Sequence, residues 1–209
     1  MPRNLPQLDV HFKKECLKAV GLTENFERAF SMPQTSIKKQ EVEYAYEIAY
    51  MRIFVGWEIF LEELLYRLFC GYITSTGRPT LNTGQTYCQN ISAAKQLLHN
   101  GRDYLLWHDP RKVILRAERK LYRSNFVTVL SSRETRLVHF GNVRHRIAHA
   151  QDDAKNKFNL ATSSLCGRRF PASRPGRFLR YRDTSDQTNP TYLDVLATEL
   201  VSLSQQLCN

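Results

Sequence analysis

The chain has 209 residues, 42% of them hydrophobic, with 30 Lys and Arg against 20 Asp and Glu and a net charge of +10. That length and apolar content support one folded domain and exclude a mainly disordered chain. The longest apolar runs fall short of the roughly 18 residues a membrane span needs, and the opening "MPRNLPQLDVHFKKE" lacks the apolar centre of a signal peptide, so a soluble, cytosolic protein is expected.

"LDVHFKKECLKAVGL" and "ENFERAF" read as short helices split by Gly21, and "SMPQTS" breaks the chain before the next element. From Ser36 to Cys70 there is no Pro and a single Gly, and Ala45, Ile48, Ala49, Ile53, Trp57, Phe60, Leu61, Leu64, Leu65 and Leu68 recur at three-and-four spacing. This pattern predicts a long amphipathic helix. Its second half is apolar on more than one side, which suits a central helix or one that also faces a partner subunit.

"GYITSTGRPTLNTGQTYCQN" reads as a loop, followed by a helix with Ser92 as N-cap and Gly101 as stop. "DPRKVILRAERKLYRSNFVTVLSSRETRLVHFGN" predicts one or two helices with Val113, Ile114, Ala117, Leu121, Val127, Leu130, Leu137 and Val138 as core, punctuated at Gly141-Asn142. Residues 166–188 form an arginine-rich insertion expected to be a basic loop or short hairpin, since its Pro and Gly argue against a regular helix. A last helix over about 190–207 carries Tyr192, Val195, Leu196, Leu200, Leu203 and Leu207.

The five cysteines are far apart and show no paired zinc-site spacing, so they read as reduced thiols. The positive charge points to a polyanion such as RNA, because Lys and Arg neutralise phosphates and release counterions. In the insertion, Arg168, Arg169, Arg177 and Arg180 with interleaved Phe170, Phe178 and Tyr181 suit a strip where arginines neutralise phosphate and aromatics stack on bases. A poorly ordered basic loop is the alternative.

The chemistry concentrates in "NVRHRIAHA", Asn142 to Ala150. With Asn142 as N-cap, Val143, Ile147, Ala150 and Ala154 would share a docking face. His145, His149 and Asp152 would lie opposite, with Arg144 in a first turn that favours anions. Metal-free cleavage of an RNA phosphodiester needs a base for the 2′-hydroxyl proton, an acid for the leaving 5′-oxygen and a cation for the charge on phosphorus. Histidine and arginine supply these groups. The His145/His149 spacing could also hold a metal, with His139 as third ligand. Arg146, standing where a metalloprotease helix has its glutamate, and the charge of Arg144 disfavour it, so no metal or cofactor is expected. Asp152 could orient His149, and Glu58 could hold the Arg144 guanidinium. The plain alternative is an exposed helix face whose charges pair with Asp152, Asp153 and Glu134.

Arg144, polar His145, three intervening residues and His149 resemble the R-polar-x-x-x-H signature of the HEPN superfamily. The helix with "GWEIFLEELL" is similar to the tryptophan-glutamate helix of HEPN domains of the RiboL-PSP and MAE-type groups. The resemblance covers roughly residues 36–158 and implies an all-α, HEPN-like antiparallel helical bundle with a long central helix. Its core would be about 36–160 plus the C-terminal helix, within a single domain over 1–209. It further implies a phosphate-contacting Arg144, an assisting His145 and a catalytic His149; Arg146, a further cation in the same stretch, is expected to bind substrate. The two motifs of a homodimer would face one cleft. The implied activity is metal-independent endoribonuclease action leaving 2′,3′-cyclic phosphate, in a toxin or anti-phage effector with an antitoxin or regulatory protein as a possible partner. A non-catalytic RNA-binding or dimerisation module is the alternative, and a basic protein that docks an acidic one is a third reading.

Overall fold

The computed structural model describes residues 3–101, 104–168, 170 and 174–209. The described residues form an all-α protein of nine helices: α1 (Leu8–Phe30), α2 (Lys39–Phe69), α3 (Ile91–His99), α4 (Pro110–Glu118), α5 (Asn125–Ser132), α6 (Glu134–Ala148), α7 (Asp152–Cys166), α8 (Pro175–Arg180) and α9 (Tyr192–Cys208). No described helix is long and apolar enough to cross a membrane. The chain groups into two compact units, one of residues 1–12, 57–134 and 202–209, the other of 13–56 and 135–201.

α1 is one helix, and the expected break at Gly21 is absent. The buried row Phe12, Cys16, Ala19 and Thr23 runs past it at helical spacing. Gly21 lies off that row, so burial on either side offsets its intrinsic cost of about 1 kcal/mol. The break at residues 31–36 and the long α2 follow the sequence pattern. Val42, Ala45, Tyr46, Ala49, Tyr50, Ile53 and Phe54 of α2 are all nearly inaccessible, a buried face wider than a single stripe.

Residues 71–90 form the expected loop, but α3 is capped by Asn90, whose side chain accepts from the Ala93 N–H at 2.9 Å, and ends at left-handed Asn100. Ser92 and Gly101 are each displaced from the roles expected of them, Asn serving both positions well. The next stretch yields three helices. Asp109 with Pro110 starts α4, Ser124 caps α5, and Arg133 separates α5 from α6. Val127 and Val138 are half-buried, while the other expected core positions are buried.

The described part of the arginine-rich insertion contains a short helix, α8, where a loop or hairpin was expected. Pro175 takes the first helical position, where its missing N–H costs nothing. Gly176 then lets α8 approach the backbone of α2: a Cβ here would lie 2.1 Å from the Glu43 carbonyl oxygen, and the Gly176 N–H donates to Glu47 Oε1 at 2.9 Å. α9 opens with a reciprocal cap in which the Thr191 N–H donates to Asp194 Oδ2 and the Asp194 N–H to Thr191 Oγ1.

The two glycines make opposite predictions. Gly176→Ala should cost about 2 kcal/mol or more through overpacking against backbone that cannot retreat. Gly21→Ala, with open space around the new methyl, should gain about 0.5–1 kcal/mol. Urea unfolding of both variants checks the pair.

Candidate active site

The site is built on α6, within the second unit. Leu137, Phe140 and Val143 are buried and dock the helix. The buried Tyr50 hydroxyl of α2 donates to the Phe140 carbonyl at 3.0 Å, and Arg136 holds Glu199 of α9 through both carboxylate oxygens. These anchors leave His145, Arg146 and His149 on the less buried side of the helix end, with Arg144 half-buried on the same face as Phe140.

The expected cap at Asn142 is overturned: α6 runs straight through Gly141 and Asn142. The buried row Leu137, Phe140 and Val143 continues across that pair, so burial outweighs the weak helix propensity of Gly and Asn. The motif therefore sits at the C-terminal end of α6, not in a first turn. That end presents unpaired carbonyls and partial negative charge, which favour cations instead of an anion. Arg146 answers them, its Nη1 donating to the carbonyls of His149 at 3.2 Å and Ala150 at 2.8 Å. A new helix, α7, starts at Asp152, so Ala154 and Asp152 belong to it and the single docking face expected from Val143 to Ala154 is split.

The His145 and His149 rings lie side by side, centroids 4.6 Å apart and tilted by 50°. The His149 N–H still bonds the His145 carbonyl at 3.0 Å, which keeps its side chain on the helical track although the helix has ended. His145 Nε2 is 3.8 Å from Asp153 Oδ2, and Asp153 in turn pairs with Lys157 at 2.7 Å. Burial, helped by the charges of His149, Lys157 and Arg144, holds the His145 imidazole below its ordinary pKa, with Asp153 acting in the opposite sense. Arg144 is half-buried, and its Nε, shielded from solvent, has no hydrogen-bond partner among the described residues. Two imidazoles and a guanidinium with an uncommitted donor thus share one helix end. His139 is placed apart from this group in its environment: burial and Arg136 lower its pKa. Among the described residues no three His, Cys, Asp or Glu side chains converge as a metal site would require.

The other expected residues are distributed differently. Asp153 faces His145, while Asp152 is exposed in the first turn of α7. Glu58 belongs to the first unit, where its Oε1 lies 3.8 Å from His108 Nδ1. Arg180 is spent on a two-point ion pair with Glu27, at 2.6 and 2.9 Å, which holds the Glu27 carboxyl below its usual range. Arg168 donates to the Tyr181 hydroxyl at 2.6 Å, and Arg177 is exposed on α8. Arg169 lies outside the described residues. Two of the expected stacking aromatics are core instead: Phe178 is fully buried and Phe170 is 5% exposed, while Tyr181 stays exposed and accepts from Arg168. Phe178 stacks on Tyr192 at 4.8 Å and meets Phe158 and Phe170 edge-on. An aromatic cluster gains more from burial in this unit than from standing in water as a platform for bases. Asp153 pairs with His145 as the exposed-face alternative expected, whereas Lys157 was not singled out in the sequence; their i, i+4 spacing signals the ion pair, but nothing periodic signals the turn that brings Asp153 to His145.

The electrostatics give a direct test. The His145 imidazole should titrate below 6.5 by NMR, Asp153→Asn should lower it further, and His149→Ala should raise it toward the ordinary value. Compared with known proteins, the chain matches no family model, no curated protein and no solved structure.

Proposed function

We propose that this protein is a metal-independent endoribonuclease of the HEPN type. The observation that carries the reading is the side-by-side pair His145 and His149 next to Arg144, whose shielded Nε has no hydrogen-bond partner among the described residues. The lowered pKa of His145 supplies a neutral imidazole near pH 7. In the proposed reaction a neutral imidazole takes the 2′-hydroxyl proton as that oxygen bonds to phosphorus. The bond from phosphorus to the 5′-oxygen breaks, and an imidazolium returns a proton to the leaving oxygen. A 2′,3′-cyclic phosphate and a 5′-hydroxyl result. His149 is the acid or base, His145 assists and positions, and Arg144 meets the charge growing on the phosphorane.

Rings with centroids 4.6 Å apart leave no room for a phosphate between them, given a hydrogen-bond reach of about 2.6–3.2 Å at each side. The pair therefore serves one flank of the phosphate, and a homodimer whose motifs share one cleft supplies the other. Tyr44, Ile48, Val55 and Ile59 on α2, each at least 40% exposed and spaced by 4, 7 and 4 residues, favour association with a second copy. Five free thiols fit a reducing, cytoplasmic setting. A toxin or defence role, restrained by an antitoxin or regulatory protein, would follow from such an activity.

Purified protein incubated in EDTA with a pool of single-stranded and structured RNA should cleave it and leave cyclic phosphate ends. His149→Ala should lower the rate about 10²–10⁴-fold, and Arg144→Ala about 10²–10³-fold. Salt-sensitive RNA binding without cleavage would point to the binding module, and cleavage unchanged in both variants would rule out these residues.

A further inference from the structure

The first unit holds a second basic feature, independent of the motif on α6. Arg3, Cys70, Tyr72, Arg78 and residues 89–92 line an open cleft of about 600 Å³, and none of the described residues lining it is a carboxylate. That size suits a small ligand.

Arg78 is placed there by packing. Its guanidinium lies 3.7 Å from the centroid of the Tyr87 ring and rests on Gly71, where a Cβ would come within 2.7 Å of Nε and Nη2. Gly71 also has φ +74°, a left-handed backbone that favours glycine. Neither Arg3 nor Arg78 has a carboxylate partner among the described residues. Behind the cleft, Lys120 is only 6% exposed, and its ammonium has a ring contact with Phe69 at 5.6 Å but no ion pair or hydrogen bond among the described residues. A cation with no carboxylate beside it favours an anion brought near. Cys70 joins the two observations: burial and Cys88 raise its thiol pKa, while the charges of Lys120, Arg67 and Arg3 act to lower it. Arg3 and Lys120 have no carboxylate partner among the described residues, whereas Arg67 pairs with Glu63.

The geometry points to a phosphate-binding site in this cleft, with Arg3 and Arg78 contacting the anion directly and Lys120 stabilising it from behind Cys70. Ile91 and Ser92, at the start of α3, line the same opening, and the first-turn amides of a helix favour an anion placed near them. Tyr72 offers an aromatic wall for whatever carries the phosphate. The recognised group is a phosphate with at least two negative charges, carried either on a small diphosphate or on the 5′ end of a nucleic acid.

Inorganic pyrophosphate is the probe. Titrated into the full chain at low ionic strength, it should bind saturably by calorimetry and slow alkylation of Cys70 by N-ethylmaleimide, with Cys166 in the other unit unaffected. Arg3→Ala and Lys120→Met should each weaken both effects about tenfold or more, whereas Arg119→Ala, an exposed arginine outside the cleft, should change neither. Displacement of pyrophosphate by a 5′-phosphorylated 2′-O-methyl oligonucleotide, but not by its 5′-hydroxyl counterpart, would identify a nucleic-acid end as the source. Displacement by neither would identify a small phosphate compound, and both results uphold the site. Absence of saturable binding, or binding and protection unchanged in Arg3→Ala and Lys120→Met, would overturn it. Loss of RNA cleavage in the α6 variants has no bearing on this outcome, because the readouts are pyrophosphate binding and Cys70 protection.

Discussion

The hydroxyl of Tyr50 is fully buried, stays protonated because burial raises its pKa far above the ordinary value, and donates to the carbonyl of Phe140. Losing such a partner costs about 1–3 kcal/mol, so this bond fixes where α6 lies along α2. Phe140 and Val143 point into the core on either side of that register; the helical period then turns His145 and His149 outward and keeps Arg144, four residues after Phe140, at the edge of the buried face. The motif's accessibility is a consequence of how its buried neighbours are satisfied. Arg136 with Glu199 and Tyr46 with Glu27 extend the same logic to α9 and α1.

Arginine in this chain serves two ends that composition cannot separate. The net charge of +10 suggests a broadly adhesive surface, yet Arg136 and Arg180 are held in two-point carboxylate pairs and Arg146 closes its own helix. Guanidinium suits this work because its fork satisfies two acceptors at once. At the two sites themselves, the arginines left for a polyanion are Arg144 beside the imidazoles and Arg3 and Arg78 at the cleft of the first unit. An account of binding based on net charge alone would overcount the cations available to it.

Helix content was legible wherever apolar spacing ran long, as in α2 and α9, and the side chains of the motif were legible from their chemistry. Its position on the helix was not. Gly141 and Asn142 look like punctuation locally, and only the buried row from Leu137 to Val143 decides that the helix continues. Gly21 misleads for the same reason, and the Pro-Gly pair that starts α8 misleads in the other direction. Phe170 and Phe178, read as stacking platforms among arginines, are core because Tyr192 and Phe158 arrive from helices distant or separate in sequence. The pairing of His145 with Asp153 depends on the turn after α6, a tertiary feature without a periodic trace.

The central claim is that RNA phosphate sits against the imidazoles at the end of α6. It is tested most directly by NMR of the histidine ring resonances during titration with an uncleavable 2′-O-methyl RNA bearing a 5′-hydroxyl, at low salt. The account predicts saturable shifts at His145 and His149, with His99 and His108 of the first unit unmoved. Binding that leaves His145 and His149 unperturbed would contradict it.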